Sequence, residues 1–180
     1  MPRLFVAVDL TPPSVAALMQ IQPRPVPGLR LATASQMHLT LHFIGEAETQ
    51  EVIAALIKVQ CPEFPLKVQG VGKFPPRGAP TVLWAGILAD RGLLKLHAAI
   101  AAELQAAGFS TETRPYAPHI TLARCTGDVS SSRVEDFLRR NEDLSLPPFA
   151  VTEFHLYSSV LSSGPPRYLC ERSFLLSPDH

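Results

Sequence analysis

The chain has 180 residues, with 16 Lys and Arg against 16 Asp and Glu, so it carries no formal net charge. Long-range attraction to a polyanion is therefore weak, which argues against a protein that coats long nucleic acid but leaves room for a local cationic pocket around a small phosphate. Although 46% of the residues are apolar, no run approaches the ~20 needed to cross a bilayer. The opening MPRLFVAVDLTPPS also lacks the long apolar region and small-residue cleavage site of a secretory signal. A cytoplasmic protein without a membrane partner is expected, at a length that suits one compact domain or two small lobes sharing a core.

Residues 4–10, LFVAVDL, read as a buried strand. Pro12 and Pro13 open a helix with Thr11 as its N-cap and Val15, Leu18 and Met19 along one stripe. Residues 23–28, PRPVPG, form a loop. A strand is expected over 38–44, then a helix over 49–60 that Pro62 stops. Residues 64–71 and 82–88 read as strands separated by the turn-rich GKFPPRGAPT. A strong helix over 93–107 ends at Gly108, and a strand follows over 119–123. Ser132 with Glu135 makes a capping box for a helix through Arg140, and residues 149–160 and 167–176 close the chain as strands. Cys61, Cys125 and Cys170 are far apart and odd in number, without the spacing of a zinc knuckle or redox pair, so reduced thiols are expected.

The order strand, helix, His-x-Thr strand, helix, strand runs once through 4–71 and again through 82–160, with a closing strand over 167–176. The motif histidines, His38 and His119, are 81 positions apart, and the same shift carries Val6 onto Ile87, also in a strand. A diverged internal duplication accounts for the same tripeptide at the same place in each half. The plainer alternative is that an α+β chain of this size repeats such an order by chance.

The local sequences are MHLTLHFIG (37–45) and PHITLARCTG (118–127). Strand side chains alternate faces, so His38 and Thr40 share one face opposite Leu39 and Leu41, and His119 and Thr121 share one opposite Ile120 and Leu122. A pseudo-twofold axis between the halves would bring both polar faces to one cleft. An imidazole with a pKa near ~6.5 can be acid or base at neutral pH. Two of them on opposite sides of a phosphorus suit in-line displacement, one taking the attacking oxygen's proton and the other protonating the leaving oxygen. Threonine hydroxyls, with an arginine or backbone N–H groups, would donate to the non-bridging oxygens. Neither a metal nor a covalent intermediate is required. A lone His-x-Thr is usually an ordinary strand histidine; the repetition, with the same following Leu, carries the functional reading. His42 shares strand parity with His38 and is a candidate cleft residue without a counterpart in the second half. His97, His155 and His180 are expected in core or surface roles.

RLFVAVDL (3–10), HLTLHFIGE (38–46), VGKFPPRGAPTVLWAGI (71–87), RPYAPHITLAR (114–124) and SSVLSSGPPRY (158–168), in this order over nearly the whole chain, resemble the two-histidine (2H) phosphoesterase superfamily. The resemblance is closer to its bacterial and archaeal RNA 2′,3′-cyclic phosphodiesterase branch, historically named 2′-5′ RNA ligase. It implies a bilobal, duplicated α+β fold, with two mainly antiparallel sheets and outer helices around a central cleft. It also implies hydrolysis of a ribose 2′,3′-cyclic phosphate to a 2′-phosphate without metal or cofactor. His38 would be the general acid and His119 the base, Thr40 and Thr121 would hold the phosphate, and Phe43 and Arg124 would sandwich the terminal base. The implied partners are RNA ends or small nucleotides bearing the cyclic phosphate, handled by a monomer. The reverse joining of RNA ends through a 2′-5′ linkage uses the same groups.

Strict alternation puts Phe43 and Arg124 on the face opposite their histidines, so each strand must end or bulge for that carry-over to hold. The family's tryptophan upstream of the first motif is replaced here by Leu31 or its apolar neighbours. Lys73, Arg77 and Arg167 are candidate cations along an RNA groove. Two other readings stay open: a non-catalytic module that binds RNA ends or nucleotides in the same cleft, and a metal site, for which two histidines lack an obvious third ligand.

Overall fold

The computed structural model describes residues 1–161 and 163–178, so His180 lies outside the described residues. Within them the chain forms β1 (Arg3–Asp9), α1 (Pro12–Ile21), β2 (Leu29–Leu31), a 3-10 turn (Ala34–Gln36), β3 (His38–Glu46), α2 (Thr49–Leu56), β4 (Phe64–Leu66), β5 (Val68–Phe74), β6 (Val82–Ile87), α3 (Arg91–Ala106), β7 (His119–Cys125), α4 (Ser131–Arg140), β8 (Phe149–Val151), β9 (Glu153–Val160) and β10 (Arg167–Leu175). The strands make two four-stranded sheets, ordered β10-β9-β1-β3 and β2-β7-β6-β5, with β4 and β8 paired between them. All the named strand pairs are antiparallel.

One strand order recurs in both sheets: β9-β1-β3 in the first and β5-β6-β7 in the second. Sequence halves and structural halves differ, however. β5, from the first half of the chain, pairs with β6, and β9, from the second half, pairs with β1. The switch happens at Lys67 and Thr152, which separate β4 from β5 and β8 from β9. This is why the segments 64–71 and 149–160, expected as continuous strands, are each split in two. The ladders also correct the repeat distance. Asp9 opposes His38 and Gly86 opposes His119, so β1 and β6 correspond at a shift of 77, not 81, and Val6 corresponds to Leu83.

The helices follow from caps and apolar stripes. Thr11 caps α1, its hydroxyl accepting from Ser14 N. Asp90 caps α3 by accepting from Gly92 N at 2.7 Å, and α3 buries Leu93, Leu96, Ile100 and Leu104 at helical spacing. Gly108 follows with φ +91°, the left-handed turn that ends it. The cap of α4 is Ser130, which accepts from Arg133 N, not Ser132. α2 stops at Leu56, short of the expected Gln60, because its buried stripe ends there and Ile57 is already exposed.

A single apolar cluster runs through both sheets and all four helices, including Leu4, Val6, Val8, Leu39, Leu41, Leu83, Ala85, Ile120 and Leu122. On the other face of β1, Phe5 and Ala7 pack with Tyr157 and Tyr168 as a separate small cluster. Cys61, Cys125 and Cys170 are free thiols. Among the described residues, no helix is long and apolar enough to cross a membrane.

Candidate functional site

Both His-x-Thr strands carry the same irregularity. In the β1–β3 ladder Ala7 opposes Thr40 and Val6 opposes His42, so Leu41 is an extra residue. In the β6–β7 ladder Trp84 opposes Thr121 and Leu83 opposes Ala123, so Leu122 is extra. Each is a β-bulge, two residues against one, and it resets the alternation of every side chain beyond it. From the histidine onward the two strands show the same burial: half-buried, buried, half-buried, buried, buried, exposed. The exposed sixth residues are Phe43 and Arg124, returned by the bulge to the face of their histidines. Phe43 presents 74% of its surface.

One cavity of about 1160 Å³ is lined by His38, Thr40, Phe43, His119, Thr121 and Arg124 together. Its lining also contains Arg3, Arg30 and Arg114 against one carboxylate, Glu112. Arg114 is paired with that glutamate at 3.2 Å, which leaves Arg3, Arg30 and Arg124 without a carboxylate partner among the described residues. A chain of zero net charge thus concentrates positive charge at this cavity, as an anionic ligand requires. The proposed groove cations Lys73, Arg77 and Arg167 do not line it; β2 and the start of β1 supply the arginines instead. Among the described residues no three His, Cys, Asp or Glu side chains are grouped to hold a metal ion.

The histidines are held differently. His119 Nδ1 lies 2.8 Å from the Ala117 carbonyl and donates to it, so in the neutral ring the lone pair falls on Nε2. Phe74 stands edge-on to this ring at 4.9 Å. His38 Nε2 lies 3.6 Å from Asp9 Oδ1, and its buried Nδ1 has no hydrogen-bond partner among the described residues. The Gln36 carbonyl, placed like Ala117 two residues upstream, favours the charged ring without reaching hydrogen-bond geometry. Burial is the largest influence on His38 and lowers its pKa; Asp9 opposes it.

His42 and His97 also line the cavity. His42, buried, stacks on His97 at 4.1 Å, and His97 stacks on Tyr116 at 3.9 Å. His42 Nε2 donates to the His97 carbonyl at 2.9 Å, and Tyr116 donates its hydroxyl to the Thr40 carbonyl at 2.9 Å. The stack therefore ties α3 and the approach to β7 onto β3, between the two motifs. Tyr116 was legible only as part of RPYAPHITLAR, and His97 only as a helical residue. Their pairing with His42 needs the tertiary fold.

Burial, with His42 beside it, pushes the His97 pKa down from 6.5 to about 4. Because the folded state binds fewer protons than the unfolded chain in this window, stability is complete above pH ~6.5 and declines as pH falls toward 4. Allowing for the partial exposure of the ring, the loss amounts to roughly 1–2 kcal/mol. His97→Phe keeps the stack and removes the titration, so urea unfolding at pH 7 and pH 4.5 is expected to show a smaller stability difference in that variant than in the unaltered chain.

A family model described as the 2′-5′ RNA ligase superfamily matches residues 11–161. A relative from Thermotoga maritima named RNA 2′,3′-cyclic phosphodiesterase is 31% identical over 177 residues, covering 92% of this chain and 91% of that one. Among solved structures, one from Thermus thermophilus superposes with a TM-score of 0.81 at 28% identity, over 99% of this chain and 100% of that chain. Escherichia coli LigT, crystallised with 3′-AMP, superposes with a TM-score of 0.73 at 27% identity, over 97% of this chain and 98% of that one. The matched segment spans well over half of the sequence and includes both bulged strands, and the chain therefore belongs to the 2′-5′ RNA ligase superfamily of 2H phosphoesterases.

Proposed function

We propose that this chain hydrolyses RNA 2′,3′-cyclic phosphate ends to 2′-phosphates by metal-independent acid–base catalysis. His119 Nε2 takes a proton from water as the water oxygen attacks phosphorus. The bond from phosphorus to the ribose 3′ oxygen breaks, and His38 Nε2 gives that oxygen a proton. Thr40 and Thr121 hydroxyls donate to the non-bridging phosphate oxygens, which hold charge in the transition state. Phe43 and Arg124 stack on the terminal base from opposite sides, an aromatic face and a guanidinium plane. Run backwards with a 5′-hydroxyl end in place of water, the same groups join RNA through a 2′-5′ linkage, and dilute water favours hydrolysis. Each chain supplies both histidines, so a monomer contains the whole site.

The observation that carries this reading is the repeated bulge, which returns the sixth residue of each strand to the face of its His and Thr, all lining one arginine-rich cavity. The relatives' names and the 3′-AMP bound to E. coli LigT support the substrate class. The test is product analysis on an oligonucleotide with a 2′,3′-cyclic phosphate end, in excess EDTA. Conversion to the 2′-phosphate is expected. Saturable binding without turnover would favour a non-catalytic RNA-end module, and activity that vanishes with the chelator would restore a metal.

A further inference from the structure

The two motif histidines stand over different floors. Their ladder partners are Asp9 for His38 and Gly86 for His119. One strand further out, His155 lies beside Ala7 and Tyr157 beside Phe5. At the corresponding places in the second sheet, Gly72 lies beside Trp84 and Phe74 beside Val82. Under His119, then, two glycines stand where side chains would not fit: a Cβ on Gly72 would fall within the Trp84 ring, and one on Gly86 would sit 2.6 Å from the Gln69 carbonyl oxygen. Under His38 the equivalent positions hold a carboxylate and an imidazole.

Tyr157 and Phe74 correspond, and each sets its ring against the histidine of its own sheet, at 4.7 and 4.9 Å. Tyr157 adds a hydroxyl, which donates to Asp9 Oδ1 at 2.5 Å. Asp9 Oδ2 lies 3.3 Å from Nε2 of His155, a ring only 5% exposed and anchored from behind by Ser173 Oγ, 2.8 Å from its Nδ1. The Asp9 carboxylate is thus gripped by two groups from β9, with His38 as its third neighbour.

We infer that Asp9 is a positioning residue for the proposed reaction: clamped by Tyr157 and His155, its carboxylate faces the Nε2 edge of His38 and favours the imidazolium against the opposing effect of burial, which suits His38 to proton donation and leaves proton acceptance to His119. The inference rests on the cyclic phosphodiesterase reading. A carboxylate beside an imidazole favours the imidazolium, and among the influences on His38 it is Asp9 that works hardest against burial, while His155 adds to the lowering. His119 has no such partner in Gly86, and its Nδ1 hydrogen is committed to Ala117. Other groups around the clamp come from two strands. Glu153 on β9 approaches His155 Nε2 at 3.7 Å. On β10, the Cys170 thiol lies 3.9 Å from His155 Nδ1 and the Tyr168 ring 5.8 Å from His38. None of them contacts both Asp9 and His38.

The full chain is compared with Asp9→Asn and Tyr157→Phe. Histidine ring signals titrated by NMR without substrate read His38 and His119 separately. Loss of the carboxylate is expected to move the His38 titration to lower pH and leave His119 in place. In turnover of a cyclic-phosphate oligonucleotide, Asp9→Asn is expected to lower kcat at least ~10-fold with KM changed less than about twofold. Tyr157→Phe keeps the ring, loosens the carboxylate and should move both readouts the same way by less; it decides the matter if Asp9→Asn fails to fold by circular dichroism. An unmoved His38 titration overturns the inference. An unaltered chain without turnover would remove the proposed reaction, and the NMR titration would still judge the hold of Asp9 on His38.

Discussion

Replacing either His38 or His119 by alanine is expected to lower kcat on a cyclic-phosphate oligonucleotide at least ~100-fold, the usual cost of a lost acid or base. KM should change much less, because Phe43, Arg124 and the threonines stay in place. The double variant should lose far less than the product of the single losses, since proton removal and proton donation belong to one displacement at one phosphorus. His38 packs against Tyr157, so alanine also leaves a gap there; His38→Gln fills most of it and cannot serve as an imidazolium, and its loss should match that of alanine. Because burial holds His38 below the ordinary 6.5, its ring signal in the free enzyme is expected to titrate at lower pH than that of a solvent-exposed histidine. Full activity in the double alanine variant would falsify the acid–base scheme.

Gly72→Ala is expected to destabilise the fold by about 1–3 kcal/mol, lowering Tm by roughly 2–12 °C. The added methyl would occupy space already filled by the Trp84 ring, so the indole must swing out or β5 must separate from β6. Either movement disturbs Phe74, which packs on both Trp84 and His119, so kcat should fall with stability. Trp84 is the one tryptophan in the sequence, and its emission reads the displacement directly. Gly164→Ala is the control: a methyl there meets no atom within 4 Å, and its effect should stay within about 0.5 kcal/mol. An unchanged Tm and an unchanged emission maximum in Gly72→Ala would show that the glycine is not what seats the indole.

The repeated His-x-Thr and the leucine after it are visible in the sequence because strand periodicity is a local property. The position of Phe43 and Arg124 is not. Alternation alone turns them away from the histidines, and the bulge that turns them back depends on pairing with β1 and β6, far off in the chain. Asp9 escaped notice for the same reason: it closes an apolar run, where a charged residue ordinarily marks a strand end, and it matters only because antiparallel pairing sets it opposite His38. Three consecutive serines stand at the start of α4, and local rules do not choose among them. Ser130 caps because the helix must present Val134 and Phe137 to the core. The candidate cations Lys73, Arg77 and Arg167 lie off the cavity lining, because a charge in the sequence carries no sign of where the fold will place it, whereas Arg30 gains its place from a three-residue strand paired to β7 beside Arg124.

The exchange of β5 and β9 between the sheets bears on what a half-length version of this chain could be. Cut between β5 and β6, each piece would hold one His-x-Thr strand and would export two strands to complete the other's sheet, β2 and β5 from the first piece and β9 and β10 from the second. Two identical pieces of that kind could assemble only as an intertwined pair, and any residue placed beneath one histidine would then recur beneath the other. Joining both pieces in one polypeptide removes that constraint, and aspartate can stand under one imidazole while glycine stands under its twin.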